Sequence, residues 1–128
     1  MYKIIDHPSD FLVEGKNKTF EKTLEDVACG MFTQMGKAEE KDSIEVESAK
    51  ELEEDLVVDV LSKIIAECEI VPFTPKRAEV ERIGGKSIKV RVFGEKKQPE
   101  NIIKGVTYHE LLVKEQNGEW IIRVLFDI

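Results

Sequence analysis

"EWIIRVLFDI" (Glu119–Ile128) reads as a strand that is apolar on both of its sides. Trp120, Ile122, Val124, Phe126 and Ile128 share one face; Ile121, Arg123, Leu125 and Asp127 share the other. Such a strand belongs in the middle of a sheet covered on both sides. It closes on Asp127 and on the carboxylate of Ile128, which places two negative charges at one strand end. Just before it, Asn117-Gly118 predicts a two-residue type I′ turn. The segment "KGVTYHELLVKEQ" (104–116) is therefore its antiparallel neighbour.

The chain opens with two further extended pieces, "YKII" (2–5) and "SDFLVEG" (9–15), separated by His7-Pro8. A first helix follows. Thr19 is its candidate N-cap, and Phe20, Leu24, Val27, Ala28, Met31, Phe32 and Met35 recur at spacings of three and four. Gly30 interrupts this helix at a cost of about 1 kcal/mol relative to alanine, which a close packing contact would explain. Gly36 is suited to a left-handed stop. Ile44 and Val46 alternate with polar residues as in a half-buried strand. Ser48 and Glu51 have capping-box spacing before a second helix. Its stripe is Leu52, Leu56, Val57, Val60, Leu61, Ile64, Ile65 and Cys68, and Pro72 and Pro75 mark the loop after it. A hairpin with its turn at Gly84-Gly85 and a polar loop, "EKKQPEN" (95–101), complete the chain. Two helices and about six or seven strands make an α+β domain spanning residues 1–128.

Composition excludes several classes. With 41% apolar and 35% charged residues the chain is globular. Its net charge is −7, and residues 36–69 carry 12 acidic against 4 basic side chains. Strong direct nucleic-acid binding is not expected of such a surface, although a local basic patch fits between Lys76 and Lys97. Cys29 and Cys68 lie on apolar helical stripes and read as small buried hydrophobes without zinc or disulfide spacing. No signal-peptide pattern or membrane-length apolar run occurs, so a cytoplasmic protein is expected. Phosphate-binding glycine loops, GxSxG, HExxH and EF-hand motifs are all absent from the sequence.

What chemistry there is sits at the two ends. If the N-terminal extended segment lies beside the C-terminal strand, Asp10, Asp127 and the Ile128 carboxylate converge. Carboxylates crowded in this way take up a proton or hold a hard divalent cation. Solvated strand ends are the plainer reading of the same residues. Lys104 opens the penultimate strand, either as a solvated edge lysine or as an anion contact. His109 is more simply structural than a ligand.

The order of three segments is similar to that of the archease family. They are "DHPSDFLVEG" (6–15) with the Phe/Ala/Met-rich helix after it, "KGVTYH" (104–109) and the closing "VLFDI" (124–128). "HPSD" stands where the family typically has His-Thr-Ala-Asp, and Gly105 where it has alanine; Pro8 and Ser9 are expected to alter the loop and not the ligand. The resemblance covers essentially the whole chain. It implies a three-layer β-α-β sandwich. It also implies a non-catalytic cofactor that promotes guanylylation and multiple turnover of an RtcB-type tRNA-splicing RNA ligase, and hence an indirect link to tRNA. By the family pattern Asp10, Asp127 and Ile128 bind a divalent ion (calcium, or else magnesium or manganese). Lys104 matches a family lysine linked to ligase activation; His7 and His109 are candidate outer supports. Two other readings compete: a metal-dependent phosphoesterase built on the same carboxylates, and a chaperone-like binding module using the acidic face between Glu51 and Asp59.

Overall fold

The computed structural model describes residues 1–7 and 10–128, with Asp6 and His7 described by backbone position. The elements run β1 (Tyr2–His7), β2 (Asp10–Asn17), α1 (Phe20–Met35), β3 (Asp42–Ala49), α2 (Glu53–Ile70), β4 (Thr74–Gly84), β5 (Ser87–Glu95), β6 (Gly105–Gln116) and β7 (Glu119–Asp127). They form two antiparallel sheets, ordered β1-β2-β7-β6 and β3-β5-β4. Both helices lie between them: α1 packs on β2 and β4, and α2 on β6 and β3. The result is the expected three-layer β-α-β sandwich.

The middle layer exists because each helix has a wide apolar face. On α1 all seven stripe residues are buried, and Thr19 caps the helix by accepting from the Lys22 N–H at 3.0 Å. On α2 the stripe from Leu56 to Cys68 is buried, but Leu52 is not part of it and is 58% exposed. Strand residues Val13, Val124, Phe126, Ile88 and Val92 close the core from the two sheets. Gly15 and Gly30 let α1 sit close on the four-stranded sheet. A Cβ at Gly30 would lie 2.5 Å from Val13 Cγ1 and 3.0 Å from Tyr2 Cδ1; at Gly15 it would lie 2.8 Å from Val27 Cγ2.

Several local expectations are corrected. Ser48 does not cap α2. It lies in β3 and donates its hydroxyl to Asp59, while the cap position is Leu52, which makes no side-chain cap bond. Sheet pairing with β5 claims the backbone there, and tertiary pairing overrides the local signal. The β4–β5 turn falls at Gly85-Lys86, with Gly84 opposite Ser87, because a bulge between Arg82 and Gly84 shifts the register. Pro75 belongs to β4, an edge strand, where a missing donor is tolerated. Gly36 has φ of 137°, which favours glycine but lies outside the left-handed helical well. The orphan carbonyls of α1 are met instead by the polar loop: Met35 O accepts from Glu100 N–H at 2.8 Å and Gln34 O from Asn101 Nδ2 at 2.9 Å.

β7 is central, as its sequence demands, and the turn before it has φ of 54° at Asn117 and 78° at Gly118. Covering layers on both sides of β7 are not what the described residues provide. Both helices and the second sheet lie on one side, and the outer side is a mixed surface. β6 is not one regular strand either. Between Thr107 and Leu112 its register slips, and Glu110 has φ of 59°.

Replacing Gly30 by alanine should lower stability by about 1–2 kcal/mol, because overpacking against Val13 and Tyr2 outweighs a helix-propensity gain of about 1 kcal/mol. Urea unfolding measures the sign directly; a stabilised variant would show that α1 is not pressed on β2.

Candidate functional site

Strand pairing lays the outer face of the four-stranded sheet out in rows. Directly opposed residues of an antiparallel pair send their side chains to the same side. Phe11 and Val13 on β2, and Val124 and Phe126 on β7, point into the core. Their neighbours in each strand therefore point out.

The first row is Lys3, Glu14, Arg123 and Leu112. Here a carboxylate stands between two cations. Arg123 donates to Glu14 Oε1 from Nε at 3.0 Å and from Nη2 at 2.7 Å, and Lys3 Nζ lies 3.2 Å from Glu14 Oε2. Burial pushes the Glu14 carboxyl up, but its hydrogen bonds with Arg123 and Lys3 outweigh this and hold it below its usual 4.5. The second row is Ile5, Leu12, Leu125 and Thr107, where Leu12 and Leu125 are 5% and 3% exposed.

The third row is His7, Asp10, Asp127 and Gly105. Asp10 and Asp127 are direct partners, and the row contains no lysine or arginine. The first row balances its charge and the third concentrates one sign. Like charges directly opposed across a strand pair are destabilising. Two outward carboxylates at a sheet end form an oxygen donor set of the kind hard divalent cations take, with water completing the shell. The residues present therefore fit such an ion. Among the described residues no three His, Cys, Asp or Glu side chains are gathered in one place. Ile128, the third residue expected at the site, directly follows Asp127.

The remaining candidates separate. Lys104 donates its backbone N–H to Asp127 O at 2.7 Å, which joins it to the same sheet end. Its side chain, however, borders a hollow with Ser62, Ile65, Ala66 and Glu69, on the α2 side of the sheet. His7 is the backbone partner of Asp10. Its side chain, Pro8 and Ser9, and with them the expectation of an altered loop, lie outside the described residues. His109 is exposed within the irregular stretch of β6, four residues from Gly105, and is not in the row. Alanine would fit at Gly105, where a Cβ meets nothing within 4 Å. Sequence reading missed the Lys3–Glu14–Arg123 row. Its signal was available: Glu14 lies four residues from Asp10, and Arg123 four from Asp127, both on the same alternation.

Both helices also end at this pole. Asn101 and Glu100 cover the end of α1, Glu69 lies beside Lys104, and neither helix has a basic residue in its last turn. Helix C-termini carry partial negative charge, which adds to that of the carboxylates.

Fold and tip together define the class: a small three-layer β-α-β sandwich with a carboxylate row at one sheet end. The model of the archease protein family (MTH1598/TM1083) matches residues 2–128. Among curated relatives, the protein archease of Methanosarcina mazei is 32% identical over 140 residues, covering 99% of this chain and 95% of its own. That of Sulfolobus acidocaldarius is 24% identical over 137 residues, covering 99% and 98%. Two solved structures share the fold. The solution structure of Methanobacterium thermoautotrophicum protein 1598 has a TM-score of 0.79 at 19% identity, covering 99% of this chain and 98% of that one. The crystal structure of an archease, described as a possible chaperone, from Thermotoga maritima has a TM-score of 0.71 at 25% identity, covering 100% and 98%. The chain belongs to the archease family.

Two predictions distinguish the rows. Glu14→Gln should cost roughly 0.5–1 kcal/mol at neutral pH. A carboxyl whose folded pKa is depressed stabilises fully above its unfolded value of 4.5 and loses that contribution as pH falls through its folded value. The gap between wild type and variant should therefore close below about pH 4.5, which acid titration of the unfolding midpoint measures. Asp127→Asn should act in the opposite direction. Without divalent ions it should raise stability by about 0.2–1 kcal/mol by removing a like-charge pair. It should also abolish the calcium-dependent rise in Tm predicted for the wild type; equal calcium responses would remove Asp127 from the ligand set.

Proposed function

We propose that this archease is a non-catalytic protein cofactor of an RtcB-type tRNA-splicing RNA ligase, promoting its guanylylation and multiple turnover in the cytoplasm. Residues 1–128 act as one domain. The observation that carries this reading is the direct opposition of Asp10 and Asp127 at the sheet end to which Lys104 is also bonded. Asp10, Asp127 and the Ile128 carboxylate hold a divalent cation, calcium or else magnesium or manganese. When bound, such an ion supplies positive charge that oxygen-rich groups of a partner can meet. Lys104 adds a cation on the other side of the same strand end. His7, backbone partner of Asp10, and His109 further along β6 are outer supports at most. An activator of this kind works by stabilising the partner's reactive conformation or its transition state, because binding all states equally accelerates nothing. RNA is reached through the ligase and not directly, in keeping with the net charge of −7.

The competing readings have less support. The acidic stretch proposed for a chaperone-like module is largely matched from within. Glu53 meets Arg82, Asp55 accepts from Tyr108, Asp59 is held by Ser48 and Lys63, and Glu51 pairs with Lys86. A phosphoesterase needs a general base beside the carboxylates; His109 lies outside their row, and the side chain of His7, backbone partner of Asp10, lies outside the described residues.

The test is single-turnover guanylylation of a cognate RtcB-type ligase. Wild-type protein should accelerate it, and Asp10→Ala and Lys104→Ala should each reduce the stimulated rate roughly tenfold. Wild-type rates from both variants would remove the basis of the proposal.

A further inference from the structure

One long feature of the surface starts at Lys104 and leads away from the carboxylate row. β6 is the last strand of its sheet, so along one side its backbone groups have no strand partner. Beside it runs the exposed flank of α2. Ser62, Ala66 and Ile70 follow one another at intervals of four residues on that flank, and all three are exposed, Ile70 to 72%. Two hollows lie between strand and helix. One, of about 320 Å³, is lined by Ser62, Ala66, Glu69, Lys104 and Val106 among others. The second, of about 390 Å³, is lined by Lys50, Asp55, Asp59, Ser62 and Tyr108. They abut at Ser62, so the trough runs from Lys104 to Tyr108, about 13 Å of strand.

Small side chains form the wall of this trough, and its far end is built. Tyr108 reaches across it to donate its hydroxyl to Asp55 Oδ1 at 2.7 Å. Beyond Tyr108 the edge is irregular, and the positive φ at Glu110 ends strand-like geometry there. What remains open is a short straight edge, Lys104–Thr107, over a shallow wall of serine and alanine. At its near end stand the Lys104 ammonium, which makes no ion pair within 4 Å among the described residues, and the exposed apolar Ile70 and Ile102, the latter 61% exposed.

We propose that this trough receives an extended segment of the partner ligase, which adds a strand to the edge of β6. Main-chain hydrogen bonds to the edge give such docking its affinity, and pockets for alternate side chains give it selectivity. The segment carries an acidic side chain for Lys104, an apolar one for Ile70 and Ile102, and small side chains over Ser62 and Ala66. The net charge of −7 and Glu69 along the same trough disfavour a phosphate backbone, and an open strand edge fits an extended protein segment. The inference rests on the ligase being the partner, and it separates docking from activation: the trough holds the ligase, whereas the carboxylate row acts on it.

The experiment measures the concentration of this protein that half-saturates stimulation of ligase guanylylation. Ser62→Trp and Ala66→Trp fill the trough from exposed helix positions, and far-UV circular dichroism checks their folding. Each should raise the half-saturating concentration about tenfold or more while leaving the maximal stimulated rate unchanged. In parallel, amide hydrogen exchange at Gly105 and Thr107 should slow when the ligase is added and stay unchanged with single-stranded RNA. Half-saturation within about twofold of wild type for both folded variants would overturn the proposal, and so would protection by RNA alone. If the wild-type protein stimulates nothing, the functional reading falls and this inference with it. If the wild type stimulates and the variants match it, only the inference falls.

Discussion

The pairing of β2 against β7, with Asp10 set opposite Asp127, governs both the core and the tip. A slip of one residue would exchange the faces of a strand. It would turn Phe11 and Val13 out of the core and separate Glu14 from Arg123. Register is thus held from both sides of the sheet at once. Inside, Val13 is fixed against α1 by the absence of a side chain at Gly30. Outside, the forked Arg123 guanidinium selects Glu14 over any neighbouring position. Asp10 and Asp127 stand opposed through the same register. The two rows above them, one ionic and one apolar, share that register.

Magnitudes set the scale of that opposition. Two unit charges about 5 Å apart repel by about 1–3 kcal/mol at effective dielectrics between those of water and a protein surface. A net folding stability of about 5–15 kcal/mol tolerates that cost but has no reason to incur it. The same sheet pairs Lys3, Glu14 and Arg123 favourably two rows away, so its composition is not the obstacle. Carboxylates, two helix C-termini without basic residues and Lys104 meet at this end, and the proposed cation would offset the like-charge opposition there.

Much of this was legible in the chain. The α1 stripe and the Asn117-Gly118 turn carry strong local signals and appear where expected; β7 is central as expected but is covered by helices on one side only. The meeting of Asp10 with Asp127 was legible only as a consequence of pairing the terminal strands. What the chain concealed depends on contacts between distant segments. Ser48 has a helix-capping neighbourhood but is claimed by β5, and its hydroxyl goes to Asp59, eleven residues away. The break in β6 leaves no trace in "TYHEL", because nothing there is a glycine or proline; Tyr108 turns toward Asp55 on another element. The side of the sheet on which Lys104 lies could not be read either, since it precedes the first paired residue of β6.

That last placement bears on how the tip can work. Alternation sends Asp10 and Asp127 to the outer face, while Lys104 borders α2 on the inner one. Its own backbone N–H nevertheless bonds the carbonyl of Asp127. The positive and negative groups are therefore rigidly coupled through main chain but shielded from one another by the sheet between them. Were they on one face, Lys104 would neutralise an aspartate internally and both charges would be lost to a partner. Divided by the strand end, they lie on different sides of the sheet. Under the proposed function, a single partner surface that engaged both would wrap the end of the sheet, which would select one orientation of docking without any deep pocket.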